Sequence, residues 1–183
     1  MKRALPTLET ARLRLRPFCE DDAGTVRLLA GDRAIADTTL RIPHPYPEDA
    51  AAAWISTHAV AFAAGRALTL ALVRLEQRDL VGAIGLDINP EQQRAELGYW
   101  VGRPFWNQGY ATEAARAVIS YGFDRLGLHR IYADYLVRNP ASGRVMNKLG
   151  MRHEGVMRDH VVKWERFEDV ARCAILNADP RPA

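Results

Sequence analysis

Residues 106–114 read Trp-Asn-Gln-Gly-Tyr-Ala-Thr-Glu-Ala and join a strand-like segment to the most regular amphipathic helix of the chain. Before them, apolar residues alternate through 95–101 as they do on one face of a β-strand. After them, apolar residues recur from Ala111 to Leu126 at the three-and-four spacing of one helical stripe. The pattern predicts a strand, a short loop and a helix N-terminus, around which the rest of the chain is organised.

The start of this helix has the properties of an anion site. The first backbone N–H groups of a helix have no intrahelical partner, and the helix dipole places partial positive charge there. Gly109 has no Cβ, so the backbone can bend and approach a pyrophosphate closely. The segment has neither the Gly-Lys-Ser/Thr of a P-loop nor the three-glycine spacing of a dinucleotide fingerprint. Because a glycine before a helix can also be a simple turn, the loop alone leaves both interpretations open.

The composition indicates a soluble globular protein that forms one domain over residues 1–183, with 48% hydrophobic and 26% charged residues. The net charge of +3 is too small to argue for a nucleic-acid partner. The start of the chain has no apolar run typical of a secretory signal, and no window approaches the roughly 20 apolar residues that span a bilayer. Cys19 and Cys173 lie too far apart for a CxxC or metal-ligand motif, which predicts reduced thiols, a cytoplasmic location and no bound metal.

The order of the remaining patterns predicts an α+β fold, with a mixed, mostly antiparallel sheet flanked by helices. Leu13 and Leu15 alternate with arginines in a short strand whose arginine row is either its solvated face or a basic patch for nucleic acid. Helices are predicted from Glu20 and from Glu48 to about Ala64, with Leu28 and Val60 among the packing residues. Strands linked by short turns follow up to residue 101. A strand, a helix that begins at Asn139 and two final strands complete the sheet after the long helix.

Three segments in this order resemble the GNAT acetyltransferase superfamily, and in particular its branch similar to the RimJ/RimL ribosomal-protein alanine N-acetyltransferases. They are Glu-Leu-Gly-Tyr-Trp-Val at 96–101, the loop at 106–114, and Asn-x-x-Ser-x-x-Val-x-x-Lys-x-Gly at 139–150. Residues 8–16 also resemble the N-terminal signature of that branch. The resemblance covers nearly the whole chain.

The resemblance implies an acetyl-CoA site in which two neighbouring strands splay apart around the pantetheine arm. It places this arm along the backbone of Tyr99, Trp100 and Val101. The pyrophosphate would lie on the amides of Gln108, Gly109, Tyr110, Ala111, Thr112 and Glu113, in agreement with the anion site inferred from the loop. Asn139 and Ser142 match the family pair beside the pantetheine and the departing sulfur. The loop departs from the family pattern at Trp106, where Gln or Arg is common, which puts that side-chain contact in doubt and leaves the amides unaffected.

The same comparison supplies candidates for proton transfer. The family often has a tyrosine as general acid where this chain has Met146, and a thioether cannot donate a proton. Ser142 is therefore the predicted donor to the leaving sulfur. Glu96 is the leading candidate for the general base, because it lies beside the acetyl site on the face opposite to Tyr99. A solvent-facing strand carboxylate is the alternative for Glu96, and the reserve candidates are Asp134, Asp159 and His160.

The predicted reaction is direct attack of a primary amine, either a protein N-terminus or a small amine, on the thioester. The acceptor site is expected near residues 41–48 and the final strand pair, and aromatic residues that can wall it or simply pack are Tyr46, Trp54, Trp106 and Trp164. The alternative function is a binding module that holds acyl-CoA as a sensor without turnover. A monomer or a homodimer fits the sequence, and no membrane partner is expected.

Overall fold

The computed structural model describes residues 4–182, which form one mixed sheet in the order β1-β2-β3-β4-β5-β6-β8-β7. The first residues of the predicted N-terminal segment, 1–3, lie outside the described range. The strands are β1 Leu8–Glu9, β2 Leu13–Arg16, β3 Ala67–Arg74, β4 Leu80–Asn89, β5 Arg94–Val101, β6 Arg130–Leu136, β7 Arg152–Lys163 and β8 Arg166–Leu176. The helices are α1 Ala23–Ala30, α2 Arg33–Thr38, α3 Ala50–Ser56, α4 His58–Ala63, α5 Tyr110–Leu126 and α6 Pro140–Lys148.

The predicted α+β fold with a mixed, mostly antiparallel sheet is confirmed. Strands β1 to β5 pair with their sequence neighbours in an antiparallel meander. The β5–β6 pair is parallel, because the chain crosses over through α5 between them. Strand β6 then pairs with β8, and β7 lies at the edge.

Alternation along β5 divides its side chains between two apolar clusters. Leu97 and Val101 pack into the larger cluster with the buried face of α5, including Ala114 and Val118. Trp100 packs into a second cluster with residues of α1, α2 and α3, such as Ile35. Strand β5 is therefore held on both faces, which fixes its position at the centre of the molecule.

Two helix predictions are wrong in detail. The helix predicted from Glu48 to about Ala64 is two helices, which meet at Thr57, whose hydroxyl donates to the carbonyl oxygen of Trp54 at 2.7 Å. Val60 is 73% exposed, because the buried stripe contains His58 at that turn. Leu28 is 75% exposed as well. A pattern that counts apolar residues alone misses a stripe that includes a histidine.

The arginine row of β2 is used within the molecule. Arg16 makes two hydrogen bonds of 2.7 and 2.8 Å with the buried carboxylate of Asp22. Arg14 pairs with Glu9, and Arg12 pairs with Glu113. These pairings favour the predicted solvated face of the strand over a patch for nucleic acid.

Candidate active site

The strands β5 and β6 pair over only three positions, Arg94 to Glu96 against Arg130 to Tyr132, and then separate. Beyond Glu96, the side of β5 that faces β6 has no neighbouring strand, since β6 continues in its pairing with β8. The sheet therefore opens into a cleft along 97–101.

The register of β4 and β5 decides which backbone groups face this cleft. The N–H of Gly102 donates to the carbonyl oxygen of Val81 at 2.8 Å, and in an antiparallel pair such bonded positions alternate. The backbone groups of Tyr99 and Val101 therefore point away from β4 and into the cleft. Those of Trp100 point toward β4, so Trp100 lines the site without the predicted backbone contact. The indole of Trp106 donates to the carbonyl oxygen of Val101 at 2.5 Å.

The loop at 106–109 ends in a left-handed turn that starts α5. Asn107 has φ +61° and Gly109 has φ +83°, a region that glycine occupies readily and β-branched residues avoid. Gly109 is the N-cap of α5, and the first intrahelical bond runs from the N–H of Glu113 to the carbonyl oxygen of Gly109 at 3.1 Å. The amides of Tyr110, Ala111 and Thr112 therefore precede the helical hydrogen-bond ladder and are available to an anion.

Glu113 has a different place from the one predicted. Its amide is part of the helix, and its carboxylate accepts hydrogen bonds from the Thr10 hydroxyl at 2.6 Å and from the Arg12 backbone N–H at 2.8 Å. Partial burial raises the pKa of Glu113, but the bonds from Thr10 and Arg12 hold it below its ordinary value overall. Glu113 therefore anchors the N-terminal segment to α5 and is removed from the predicted amide set.

Arg12 is a site residue that sequence reasoning missed. Its guanidinium bonds to both the Glu113 carboxylate, at 2.7 Å, and the carbonyl oxygen of Gln108, at 3.0 Å. It also lies over the ring of Tyr110, 4.8 Å from the centroid. The ion pair of Arg12 and Glu113 is thus held beside the free amides. The sequence signal was present in the alternating arginines, but alternation could not tell which of them reaches α5.

Two cavities meet at the cleft. The first, which we call the amide cavity, encloses about 310 Å³ beside the free amides of α5. Its lining includes Tyr99, Trp100, Val101, Trp106, Gly109, Tyr110, Ala111, Thr112, Asn139, Ser142, Arg144 and Lys148. Arg144 and Lys148 of α6 add two cationic side chains to this lining. The amide cavity therefore combines backbone donors with positive charge, as a site for phosphate groups requires.

The second, which we call the carboxylate cavity, encloses about 600 Å³ and reaches from the cleft toward β3, β4 and β7. It is lined by three carboxylates, Asp87, Glu96 and Asp134, and by Gly98, Trp54, Arg41, Met146 and His160 among others. The two cavities share Thr38, Thr39, Tyr99, Trp100 and Ser142 in their linings. A molecule in one cavity can therefore meet a molecule in the other at Tyr99 and Ser142.

Glu96 lies in the carboxylate cavity next to the point where β5 and β6 separate. It faces Asp87 across the β4–β5 pair, and Arg41 bridges the two carboxylates at 3.3 and 3.1 Å, respectively. Burial raises the pKa of Glu96 above its ordinary value, while the charge of Arg41 opposes the shift. Glu96 is therefore a partly buried carboxylate beside a cavity rather than a simple solvent-facing one.

The reserve candidates for the base are placed less well. Asp134 lines the carboxylate cavity, but both of its oxygens accept from Arg172, at 2.8 and 2.6 Å. His160 lines the same cavity and is exposed. Asp159 is exposed and lies outside the linings of both cavities.

Ser142 is held at the start of α6 by the predicted N-cap, Asn139. The side-chain oxygen of Asn139 accepts from the Ser142 N–H, and its amide nitrogen donates to the Ser142 hydroxyl at 3.1 Å. Since Asn139 occupies a lone pair of that hydroxyl, the Ser142 proton is left to be donated. Met146, one turn further along α6, is 2% exposed and lines the carboxylate cavity.

The four aromatic candidates lie in four different places. Trp54 lines the carboxylate cavity and packs edge-on against His58, with ring centroids 4.4 Å apart. Trp106 lines the amide cavity. Tyr46 lies in a separate surface cleft beside His44, and Trp164 lies at the β7–β8 turn. The structure thus brings Trp54 and Trp106 to the site and leaves Tyr46 and Trp164 outside it.

Residues 4–182 contain neither a metal-binding cluster nor a membrane-spanning helix. In that range, no cluster of three or more His, Cys, Asp or Glu side chains is arranged to hold a metal ion. None of the helices in the same range has the length and apolar character needed to cross a membrane. Cys19 and Cys173 are free thiols.

Comparison with known proteins gives one consistent result. The family model described as "Acetyltransferase (GNAT) domain" matches residues 12–152. The uncharacterized N-acetyltransferase YoaA of Bacillus subtilis (strain 168) is 32% identical over 157 residues, covering 85% of this chain and 88% of the relative. The ribosomal protein uS5-alanine N-acetyltransferase of Escherichia coli (strain K12) is 26% identical over 120 residues, 64% of this chain and 62% of that enzyme.

Among solved structures, RimL, a ribosomal L7/L12 alpha-N-protein acetyltransferase in complex with coenzyme A, superposes with a TM-score of 0.86. It is 19% identical and the match covers 95% of this chain and 100% of that one, so the likeness concerns the fold. Both the predicted fold and the predicted family are confirmed. The chain belongs to the GNAT family and is an acetyl-CoA-dependent N-acetyltransferase.

Proposed function

We propose that this acetyltransferase moves the acetyl group of acetyl-CoA directly to a primary amine, either the α-amino group of a protein or a small amine. The observation that carries the proposal is the meeting of the amide cavity and the carboxylate cavity at Tyr99 and Ser142. One cavity has donors for phosphates, and the other has carboxylates for a cationic amine. Donor and acceptor can therefore reach one point from two directions, without a covalent intermediate on the protein.

The residues of the amide cavity fit the coenzyme. The amides of Tyr110, Ala111 and Thr112 offer hydrogen bonds to the pyrophosphate, and Arg144 and Lys148 add positive charge to the same cavity. The free backbone groups of Tyr99 in the cleft can pair with the amide groups of the pantetheine arm. When bound, the coenzyme supplies the acetyl group as a thioester. The protein contributes position, and it holds the acetyl group beside Ser142.

Glu96 is the proposed base. A protonated amine has no lone pair with which to attack, so the acceptor must first lose a proton, and burial gives Glu96 a raised pKa that suits this transfer. The nitrogen then forms a bond to the acetyl carbon as the carbon–sulfur bond breaks. The Ser142 hydroxyl donates to the sulfur and stabilises the negative charge that develops there.

The ease of proton removal and the named relatives support an α-amino acceptor. An α-amino group, with a pKa near 8, needs less help from Glu96 than a lysine at about 10.4. Among the relatives, the Escherichia coli enzyme is named for alanine of ribosomal protein uS5, and RimL for the α-amino group of ribosomal L7/L12. A ribosomal-protein N-terminus is the proposed first acceptor to test, and the cytoplasm is the proposed location.

The test is an acetyl-CoA turnover assay with a panel of N-terminal peptides, polyamines and aminoglycosides, run beside calorimetric titration with CoA. Glu96→Gln should lower kcat/KM by about 10²- to 10⁴-fold, the usual contribution of acid–base catalysis, with CoA affinity retained. Asp87→Asn is the matched control, since it removes the other carboxylate that Arg41 bridges and should cause a much smaller loss.

Tight CoA binding by the wild-type protein without acetylation of any acceptor in the panel would contradict the proposal. That result would instead support the alternative of an acyl-CoA-binding sensor. Turnover that is equal in the wild type and in Glu96→Gln would keep the function but remove Glu96 as the base.

A further inference from the structure

The hydroxyl of Tyr99 is buried and has no hydrogen-bond partner. Within residues 4–182, the other buried side-chain polar atoms without a partner are the two ring nitrogens of His58. A phenol normally finds a partner when it is buried, because an unpaired polar atom loses its hydrogen bonds to water without compensation. His58 lies in an aromatic cluster with Phe18 and Trp54, whereas Tyr99 lies where the two cavities meet. The unpaired hydroxyl of Tyr99 therefore indicates a partner that comes from a bound molecule.

The surroundings of Tyr99 indicate which part of that molecule it meets. Tyr99 and Ser142 line both cavities; burial raises the pKa of the Tyr99 phenol overall, and the nearby Ser142 hydroxyl opposes this shift. The two hydroxyls nevertheless do not form a hydrogen bond of acceptable geometry. Since Ser142 is held by Asn139, both hydroxyl protons remain available at the junction. This is the place where the thioester must lie if the acetyl group is to pass from one cavity to the other.

We propose that the Tyr99 hydroxyl is a catalytic proton donor to the sulfur of CoA. The inference rests on the proposed function and deepens it. As the amine nitrogen bonds to the acetyl carbon, the carbon–sulfur bond breaks and its electron pair goes to the sulfur. Tyr99 gives its proton to that sulfur, and CoA leaves as the thiol. Glu96 passes the proton of the amine to solvent, and the Tyr99 phenolate regains a proton from solvent, so that atoms and charges balance.

Acid strength favours Tyr99 over Ser142 for the transfer itself. A phenol, with an ordinary pKa of about 10, is close to a thiol at about 8.5, whereas a serine hydroxyl is a far weaker acid. Burial raises the pKa of the Tyr99 phenol, which keeps it protonated over the neutral range. Ser142 then contributes a hydrogen bond to the same sulfur, and Asn139 holds Ser142 in position.

The experiment uses Tyr99→Phe, which keeps the ring and removes only the hydroxyl. We expect kcat to fall by about 100-fold, within the usual range for an acid catalyst, while the Kd of acetyl-CoA changes by less than about three-fold because the backbone contacts remain. Tyr121→Phe is the matched control, since Tyr121 on α5 packs against the larger apolar cluster and lies outside the linings of both cavities. It should leave kcat unchanged.

A second readout does not depend on turnover. The ionisation of CoA bound to the protein is followed by the ultraviolet absorbance of the thiolate as pH is raised. A hydrogen bond from Tyr99 stabilises the thiolate, so the bound thiol should ionise about 10-fold more readily in the wild type than in Tyr99→Phe. Circular dichroism and the Tm of each variant establish that it is folded.

Two results would overturn the assignment. A kcat of Tyr99→Phe within about two-fold of the wild type, instead of the ~100-fold loss expected, would show that the hydroxyl is not catalytic. A slow variant in which the bound thiol ionises as in the wild type would show that the hydroxyl acts at another atom. If the wild type acetylates no acceptor, the proposed function fails, and the thiol titration still decides whether Tyr99 meets the sulfur.

Discussion

The amide cavity and the carboxylate cavity share lining residues, Tyr99 and Ser142 among them, but are built by different means. The first depends on backbone geometry: a glycine with φ +83° and the free amides of the first turn of α5. The second depends on side chains from distant segments, with Glu96 on β5, Arg41 in the loop after α2, and Met146 on α6. A donor site made from backbone can bind the same coenzyme with many side chains around it. An acceptor site made from side chains can change its substrate without disturbing the coenzyme.

The largest effect is expected where the backbone of the amide cavity is changed. Gly109→Val should lower CoA affinity at least ~100-fold. A left-handed backbone conformation costs about 1–2 kcal/mol for an ordinary side chain and more for a β-branched one. The loop is expected to relieve this strain by moving its amides away from the position that binds the pyrophosphate. Calorimetric titration with CoA measures the loss. Gly109→Asn is the control, since asparagine tolerates this conformation. A folded Gly109→Val protein with normal CoA affinity would show that the amide cavity is not the coenzyme site.

A smaller and selective effect is expected when the carboxylate cavity is filled. Gly98 lines this cavity, and a Cβ built on it meets no atom within 4 Å. Gly98→Leu should therefore fold normally and reduce acceptor binding, raising KM for the acceptor about 10-fold or more, as loss of a well-fitted group in a pocket does. Initial rates at varied acceptor and saturating acetyl-CoA give this value. Loss of CoA affinity with unchanged acceptor KM would reverse the assignment of the two cavities.

The smallest effect is expected at the ion pair that bridges Glu96 and Asp87. Arg41 is 73% exposed, and exposed pairs contribute about 0.2–1 kcal/mol, so Arg41→Ala should change kcat/KM at neutral pH by less than about five-fold. The direction of the pH effect on kcat/KM follows from the charge of Arg41. Arg41 lowers the pKa of Glu96, so its removal raises that pKa further, and Glu96 becomes a base only at higher pH.

The measurement for Arg41 is the pH dependence of kcat/KM. Its acid limb should move to higher pH in Arg41→Ala and stay in place in Arg66→Ala, which changes another arginine that lines the carboxylate cavity. An acid limb that does not move would show that Glu96 is not the group that titrates.

Sequence patterns were most informative where local chemistry decides the structure. Alternation in 95–101, Gly109 before an amphipathic helix and Asn139-Pro140 at the start of another helix each specify a backbone conformation within a few residues. The meander, α5 and α6 were predictable for this reason, whereas the cleft beside Tyr99 was expected only from the family resemblance. The buried stripe of α3 and α4 was not, because it includes His58, which an apolar pattern does not count.

Sequence reasoning was weaker wherever a role depends on a partner far along the chain. Glu113 looked like a member of the amide set, and only the fold shows its carboxylate bound to Thr10 and Arg12, about a hundred positions away in sequence. Asp134 was a reserve candidate for the base, and the structure shows that both of its oxygens accept hydrogen bonds from Arg172. The pairing of charged groups follows distances in space, which sequence spacing does not fix.

By itself, then, the sequence determined a glycine turn and a helix start at α5 within a mixed sheet, because glycine, capping residues and periodicity act locally on the backbone. The tertiary structure alone decided that Arg12 lies beside the first amides of α5, that the charge of Arg41 opposes the pKa shift that burial causes in Glu96, and that the unpaired hydroxyl of Tyr99 lies near Ser142. These facts depend on which segments the packed core brings within a few ångströms of each other, and on how much water it removes from the groups that meet there.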